Sequence, residues 1–193
     1  MLERSQLPAQ RDDSSAVVLT AVDDRNVRRL ATWLQPQAAE TRALLSKRGL
    51  PLQVGESAAA FGALALCLGP QEWWLVSREH EPSAITPDLQ SELAAEGLMV
   101  ADLTEGLAIL EVHGPSTRDL LSKACGLDFH PRVFGTGRCA RTRFAQIPAV
   151  LLCREDLQRF ELYVARSYAH YVQAYLADLS SCESDSSAES PAA

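Results

Sequence analysis

No set of residues in this sequence has the spacing of a metal site. The five cysteines stand at 67, 125, 139, 153 and 182, none of them in a Cys-x-x-Cys pair, and a structural zinc site needs close-spaced ligands. The four histidines, His80, His113, His130 and His170, lie far apart, and none has a ligand partner three or four positions on. A Gly-rich phosphate loop is also missing, since Gly135-x-Gly137 opens no helix. No nucleophile stands with a base. The first residues, MLERSQLPAQRDDSS, contain no apolar core of a secretory signal, and the longest apolar runs fall far short of a membrane span. Positive charge is in the minority, 18 Lys and Arg against 25 Asp and Glu, which argues against non-specific nucleic-acid binding. These absences leave a cytoplasmic protein with small buried thiols in a reducing compartment as the expectation. They nominate no catalytic, cofactor-binding or metal-binding residue.

What is present suits an ordinary globular protein. Hydrophobic residues make up 47% and charged residues 22% of 193 positions. A chain of this size buries on the order of 70% of its unfolded surface, so a core needs no disulfide. Residues 1–15 are polar and charged, and 180–193 (SSCESDSSAESPAA) form an acidic, low-complexity tail. Both are expected to be disordered, leaving a single domain over 16–179.

Ala16 to Ala21 reads as an edge strand or an extended arm. Arg25 to Arg48 is rich in arginine, and Leu30, Trp33 and Leu34 within it sit at helical spacing. This predicts a basic helix around Arg25 to Trp33, ended or kinked by Pro36. A further turn or two over Ala38 to Lys47 is stopped by Gly49 and Pro51. The basic helix either presents a solvated face over a core stripe or docks on an acidic partner. A loop with a short strand near Leu52 to Val54 leads to a clear strand, GALALCL. Gly69-Pro70-Gln71 then turns it into EWWLVS. Alternation sets Trp73 and Leu75 on one face and Trp74 and Val76 on the other, both apolar. Pro87 opens a helix that Gly97 closes, and Leu98 to Leu103 is a strand.

The stretch from Val100 to Arg154 is the most informative. Leu107 to Val112 is a strand, broken at Gly114-Pro115. Ser116 and Asp119 have the spacing of a capping box for a short helix that Gly126 ends. A long link, His130 to Gly137, leads to strands near Arg138 to Gln146 and at Ala149 to Cys153, with Pro148 between them. Phe160 to Val164 is another strand. Tyr168, Tyr171, Val172, Tyr175, Leu176 and Leu179 then form a helical stripe read as core, with Tyr171, Val172 and Tyr175 toward the sheet. ALALC followed by EWWLV and a helix is echoed by AVLLC followed by FELYV and a helix. The prediction is an α+β fold of two pseudo-repeated halves, with mostly antiparallel sheets joined by tight turns and packed helices. The link and the next strand hold Arg132, Arg138, Arg141 and Arg143, with no acidic residue from Phe129 to Ile147. Arg141 and Arg143 share a strand face. This is either a positive strip for an acidic partner or anionic ligand, or an exposed face balanced by nearby carboxylates.

Three runs then carry a resemblance. LCLGPQEWWLVS, DLTEGLAILEVHGPSTRDLLSKACGLDFHPRVFGTGRCARTRFAQIPAVLL and FELYVARSYAHYVQAYL, in that order, resemble the gamma subunit of heterotetrameric sarcosine oxidase over about Arg25 to Leu179. Thr136-Gly137 stands where that pattern has Pro-Gly, which keeps the turn without the rigid proline. The resemblance implies a fold like the folate-binding module of the glycine-cleavage aminomethyltransferase. It implies a structural subunit of a complex that oxidatively demethylates sarcosine to glycine, with alpha, beta and delta subunits as partners. Flavins, NAD and tetrahydrofolate would then sit on the larger subunits and zinc on the delta subunit, with no cofactor on this chain. The alternatives are the gamma subunit of a related N-methyl amino acid dehydrogenase and a free-standing folate-binding or methyl-transfer protein. For the latter, Asp102 or Glu111 would face the pterin, and Arg141 and Arg143 the glutamate tail. An assembly role makes Arg29, Trp33, His130, Arg132, Arg141 and Arg143 the candidate contact residues, because arginine beside aromatic or apolar groups is favoured at interface hot spots.

Overall fold

The computed structural model describes residues 17–35, 37–78, 85–154 and 158–187, the last seven by their backbone only. Readings made above for residues 1–16, Pro36, His80, and 188–193 lie outside these. The chain divides into two compact units, one of residues 24–107 and 137–140, the other of residues 1–23, 108–136 and 141–193.

The first unit is a five-stranded sheet with two helices. Its elements are β2 (Arg25–Thr32), α1 (Ala39–Lys47), β3 (Ser57–Ala60), β4 (Ala63–Gly69), β5 (Glu72–Arg78), α2 (Pro87–Ala95) and β6 (Leu98–Asp102). The strand order is β3-β4-β5-β2-β6, and each pairing is antiparallel. Leu30, Trp73, Leu75, Ala65, Cys67 and Leu98 lie on one face by strand alternation and form a core with Leu45 of α1 and Leu93 of α2. Each large apolar side chain buried there is worth roughly 1.5–3 kcal/mol, which holds the helices on the sheet. Trp73 Nε1 donates to the Pro51 carbonyl at 2.8 Å, so its burial leaves no orphan donor. Trp74, Val27, Leu66 and Val76 are buried on the opposite face.

Both helices end as their glycines predict. Gly49 has φ +75°, its N–H donates to the Ser46 carbonyl, and the Leu50 N–H donates to the Leu45 carbonyl. That is a Schellman ending with its apolar contact between Leu45 and Leu50. Gly97, at φ +83°, closes α2, and the side chain of Leu34 fills the space that a Cβ would need. Arg48 then joins the two helices. Its guanidinium meets Glu92 at 2.5 Å and Glu96 at 2.6 Å and 2.9 Å, and these bonds hold the Glu96 carboxyl below its ordinary range.

The second unit repeats the topology. Its elements are β1 (Val18–Ala21), β7 (Leu107–His113), α3 (Thr117–Ala124), β8 (Cys139–Phe144, entering this unit at Arg141), β9 (Ile147–Cys153), β10 (Arg159–Ala165) and α4 (Ala169–Ser187). The order β8-β9-β10-β7-β1 matches β3-β4-β5-β2-β6 strand for strand, with β1 in the place of β6. Each half also closes its hairpin with two left-handed residues. Phe61 and Gly62 have φ 54° and 64° between β3 and β4, and Ala145 and Gln146 have φ 45° and 73° between β8 and β9. Two positive-φ residues make the type I′ turn that matches strand twist. A cross-strand ion pair recurs with its charges exchanged. Arg29 of β2 meets Glu72 of β5 at 3.2 Å, and Glu111 of β7 meets Arg159 of β10 at 2.9 Å.

Several expectations are corrected. Arg25 to Trp33 is not a helix but strand β2 and the residue after it. Pairing with β5 and β6 on both sides satisfies its backbone and outweighs the local spacing of Leu30, Trp33 and Leu34. Leu52 to Val54 is not a strand; the strand begins at Ser57. Ser116 makes no capping bond, because its φ −94° and ψ 8° keep its side chain from the extended geometry of an N-cap. Cys125, not Gly126, turns the chain, going extended to bridge Phe144. Pro148 lies inside β9, tolerated because the register with β10 starts at Ala149. The tyrosine stripe is split. Val172 and Leu176 are buried and Tyr175 is half-buried against Phe144, whereas Tyr171 is 46% exposed and its O–H donates to the Ala145 carbonyl at 2.9 Å. A tyrosine ring with a polar tip suits such a rim. Helix α4 also continues to Ser187, into the segment whose composition predicts disorder. Once nucleated, each added residue needs only one further hydrogen bond.

Ala145 and Gln146 are not residues that favour φ > 0. Replacing the exposed Gln146 with Gly, and keeping the buried Ala145, should raise stability by about 1 kcal/mol. The carbonyls that Tyr171 and Arg143 hold survive the change. Thermal unfolding checks this, and an unchanged or lower melting temperature would show that the native side chain offsets the strain.

Candidate partner interface

The six candidate residues fall in two places. Arg29 and Trp33 belong to the first unit. Arg29 is exposed on β2 and paired with Glu72. Trp33 follows the strand and is 62% exposed. The backbone on either side of it is fixed: the Leu34 N–H donates to Thr32 Oγ1 at 3.1 Å, and Gln71 Nε2 donates to the Leu34 carbonyl at 2.8 Å. Thr32 Oγ1 in turn donates to the Gly97 carbonyl at 2.8 Å. Leu34 is tucked against Gly97 and Trp33 is turned out. An indole held outward by ordered backbone costs little to immobilise on binding.

His130, Arg132, Arg141 and Arg143 belong to the second unit. His130 serves its own turn. Its carbonyl accepts from Val133 N–H at 2.8 Å and Phe134 N–H at 2.9 Å, its N–H donates to Asp128 Oδ1 at 2.8 Å, and its Nδ1 accepts from the Arg132 N–H at 3.2 Å. That bond leaves Nε2 as the protonated nitrogen of the neutral ring. Arg132 and the 54%-exposed Val133 project from the same turn. Arg141 and Arg143 are both exposed on one face of β8. Arg143 Nη2 donates to the Gln146 carbonyl at 2.7 Å, which sets the guanidinium beside the hairpin tip. Arg138, just before β8 and in the first unit, lies 3.5 Å from Glu56.

Sequence reasoning overlooked the residue that holds the link. Arg118 of α3 donates through Nη1 to the Phe129 and Phe134 carbonyls, the latter at 3.0 Å. Its Nη2 lies 3.6 Å from Cys153 Sγ, and its guanidinium carbon sits 4.9 Å from the centre of the Phe160 ring. Phe129 and Phe134 both pack on that ring, with centroids 5.8 Å and 6.2 Å away. One cation therefore joins helix, link and sheet. Spacing hid it, because Arg118 follows the capping residues of a polar first turn. Also unforeseen was Glu161, wholly buried, which accepts from Tyr163 O–H at 2.5 Å and lies 3.6 Å from Arg154.

No group of His, Cys, Asp and Glu among the described residues is placed to hold a metal ion. Burial pushes the Cys139 thiol up to about 12 and the Cys67 thiol above its ordinary value, so neither is a ready nucleophile at neutral pH. No helix among the described residues is long and apolar enough to cross a membrane.

Arg118→Ala should cost about 2–4 kcal/mol, because two buried carbonyls lose a charged donor. Arg118→Lys should recover only part, since an ammonium lacks the planar fork. Denaturant unfolding measures both, and a cost under about 1 kcal/mol for Ala would show that the link is held by its phenylalanines alone.

A family model described as the sarcosine oxidase gamma subunit matches residues 35–183. Sarcosine oxidase subunit gamma of Corynebacterium sp. (strain U-96) is 37% identical over 131 residues, 67% of this chain and 62% of that protein. The corresponding subunit from Arthrobacter sp. is 41% identical over 104 residues, 53% of this chain and 50% of that protein. These alignments span less than two thirds of the relatives' own lengths. Among solved structures, the heterotetrameric sarcosine oxidase from Corynebacterium sp. U-96 in complex with pyrrole 2-carboxylate matches with a TM-score of 0.73 and 32% identity, over 86% of this chain and 84% of that one. The glycine cleavage system aminomethyltransferase T from Bartonella henselae matches with a TM-score of 0.62 at 14% identity, over 84% of this chain and 45% of that one, a likeness of fold alone. The chain belongs to the sarcosine oxidase gamma subunit family.

Proposed function

We propose that this chain is a non-catalytic, structural gamma subunit of a heterotetrameric sarcosine oxidase, a complex that oxidatively demethylates sarcosine to glycine. The observation that carries this reading is the fold match to the heterotetrameric enzyme over most of both chains. The alpha, beta and delta subunits are its partners, in the cytoplasm. Flavins, NAD and tetrahydrofolate belong to the larger subunits and zinc to the delta subunit. Several charged side chains support a scaffold role, because they are engaged with one another or with backbone. Arg48 joins two helices, Arg118 holds a link, Glu111 and Arg159 tie two strands, and the Cys67 and Cys139 thiols are buried.

Co-expression of the chain with the other three subunits tests this. The expected outcome is one complex that oxidises sarcosine, while the chain alone is colourless and inactive. A flavin spectrum or sarcosine turnover from the chain alone would overturn it.

The contact regions of this subunit are the turn at Trp33 with Arg29, and the strip of His130, Arg132, Arg141 and Arg143. Reversing the charge at Arg141 and Arg143 together should weaken co-purification with the other subunits and leave the melting temperature of the chain within a few degrees, because exposed charges add little to stability. Full assembly of the folded double variant would remove this strip from the interface.

A further inference from the structure

We infer that the outer edge of β6 is a docking site that receives an extended segment of a partner subunit as an added strand. The inference rests on the gamma-subunit reading and names which surface of the chain assembles and by what chemistry.

The two sheets end in β1 and β8 and in β3 and β6. β8 is met by Cys125 at Phe144, and Glu56, which leads into β3, is met by Arg138. β1 has no exposed residue, all four being half-buried. β6 differs. It ends the order β3-β4-β5-β2-β6, no described residue pairs with its outer side, and Met99, Ala101 and Asp102 are exposed.

Its pairing with β2 shows which groups point outward. The Leu103 N–H donates to the Val27 carbonyl at 2.9 Å, and the register pairs Ala101 with Arg29 and Met99 with Ala31. In an antiparallel ladder, hydrogen-bonded pairs alternate with pairs whose groups face away. Residues 99, 101 and 103 therefore bond to β2, and the N–H and C=O groups of Val100 and Asp102 face out. Such a row is a template for another strand.

The side chains around it choose the occupant. Met99 is 58% exposed. The Thr32–Leu98 pairing sets the 62%-exposed Trp33 at the same corner. The natural guards of an edge, lysine, proline or a bulge, are all missing from LMVAD. The charged residue within it is Asp102, exposed at the far end, whose Oδ1 accepts only from the Thr104 N–H at 2.9 Å among the described residues. The matching occupant is an extended peptide segment, apolar where it meets Met99 and Trp33 and basic where it meets Asp102. A helix or compact loop set there would bury the outward N–H and C=O groups without partners, and an added strand satisfies them.

Hydrogen exchange, on the full chain alone and in the complex with its co-expressed partner subunits, tests this. The amides of Val100 and Asp102 should slow at least about tenfold on assembly, while those of Met99 and Ala101, already in the ladder, are slow in both. A complex that forms with Val100 and Asp102 exchanging as in the free chain overturns the edge proposal and leaves the gamma-subunit reading standing. Failure to form any complex overturns that reading and this proposal with it. Met99→Lys and Val100→Pro, each confirmed folded by its melting curve, should lower incorporation into the complex roughly tenfold or more, with Met99→Leu close to wild type. The proline breaks no bond to β2, and its cost to the core against which Val100 packs is read from the melting curve, so wild-type incorporation of both folded variants also overturns the proposal.

Discussion

The two-residue alternation of paired strands is the constraint from which most of this molecule follows. On the sheet of the first unit it sends Leu30, Trp73, Leu75 and Leu98 to the helical side and Val27, Trp74 and Val76 to the other. A shift of one residue in any of these pairings would exchange the two sets. The same alternation sets Met99 outward beside Ala31 and turns the Val100 amide away from β2. Core, exposed corner and open edge are thus consequences of one register.

Helices and turns fix that register from outside the sheet. Gly49 and Gly97 end α1 and α2 in left-handed conformations, which lets Leu50 and Leu98 return to the core at once. Arg48 then clamps the second helix to the first through two carboxylates. In the second unit Arg118 plays the joining part by a different route, with carbonyls and an aromatic face in place of carboxylates. A guanidinium suits both tasks, because it is planar, permanently charged and offers several donors at set angles. Arg48 and Arg118 are internal fasteners, whereas Arg132, Arg141 and Arg143 are exposed, against a net charge of −7.

The topology repeats between the halves down to details of turn and ion pair. Each half closes a hairpin with a two-residue left-handed turn and ties two strands by an ion pair, and the signs of the charges are exchanged between the halves. The strand order is common to the two halves, while the side chains on it differ.

The sequence by itself determined the strands within Ala63 to Ser77, at Ala149 to Cys153 and at Phe160 to Val164, the turn at Gly69 to Gln71 and the α+β class, because apolar runs bounded by Gly, Pro and polar turn residues carry their own local signal. It also determined the glycine ends of α1 and α2, and the existence of a basic strip on β8, since i and i+2 on a strand share a face. Tertiary structure alone decided that Arg25 to Thr32 is a strand, since two neighbours far away in sequence satisfy its backbone. Local spacing cannot report such partners. It decided that Arg118 looks inward to two carbonyls, that Ser116 caps nothing, and that Glu161 is buried against Tyr163. Exposure of Met99 and the outward amides of β6 were equally beyond the sequence, because they depend on which strand ends a sheet, a property of pairing order and not of any residue in the strand.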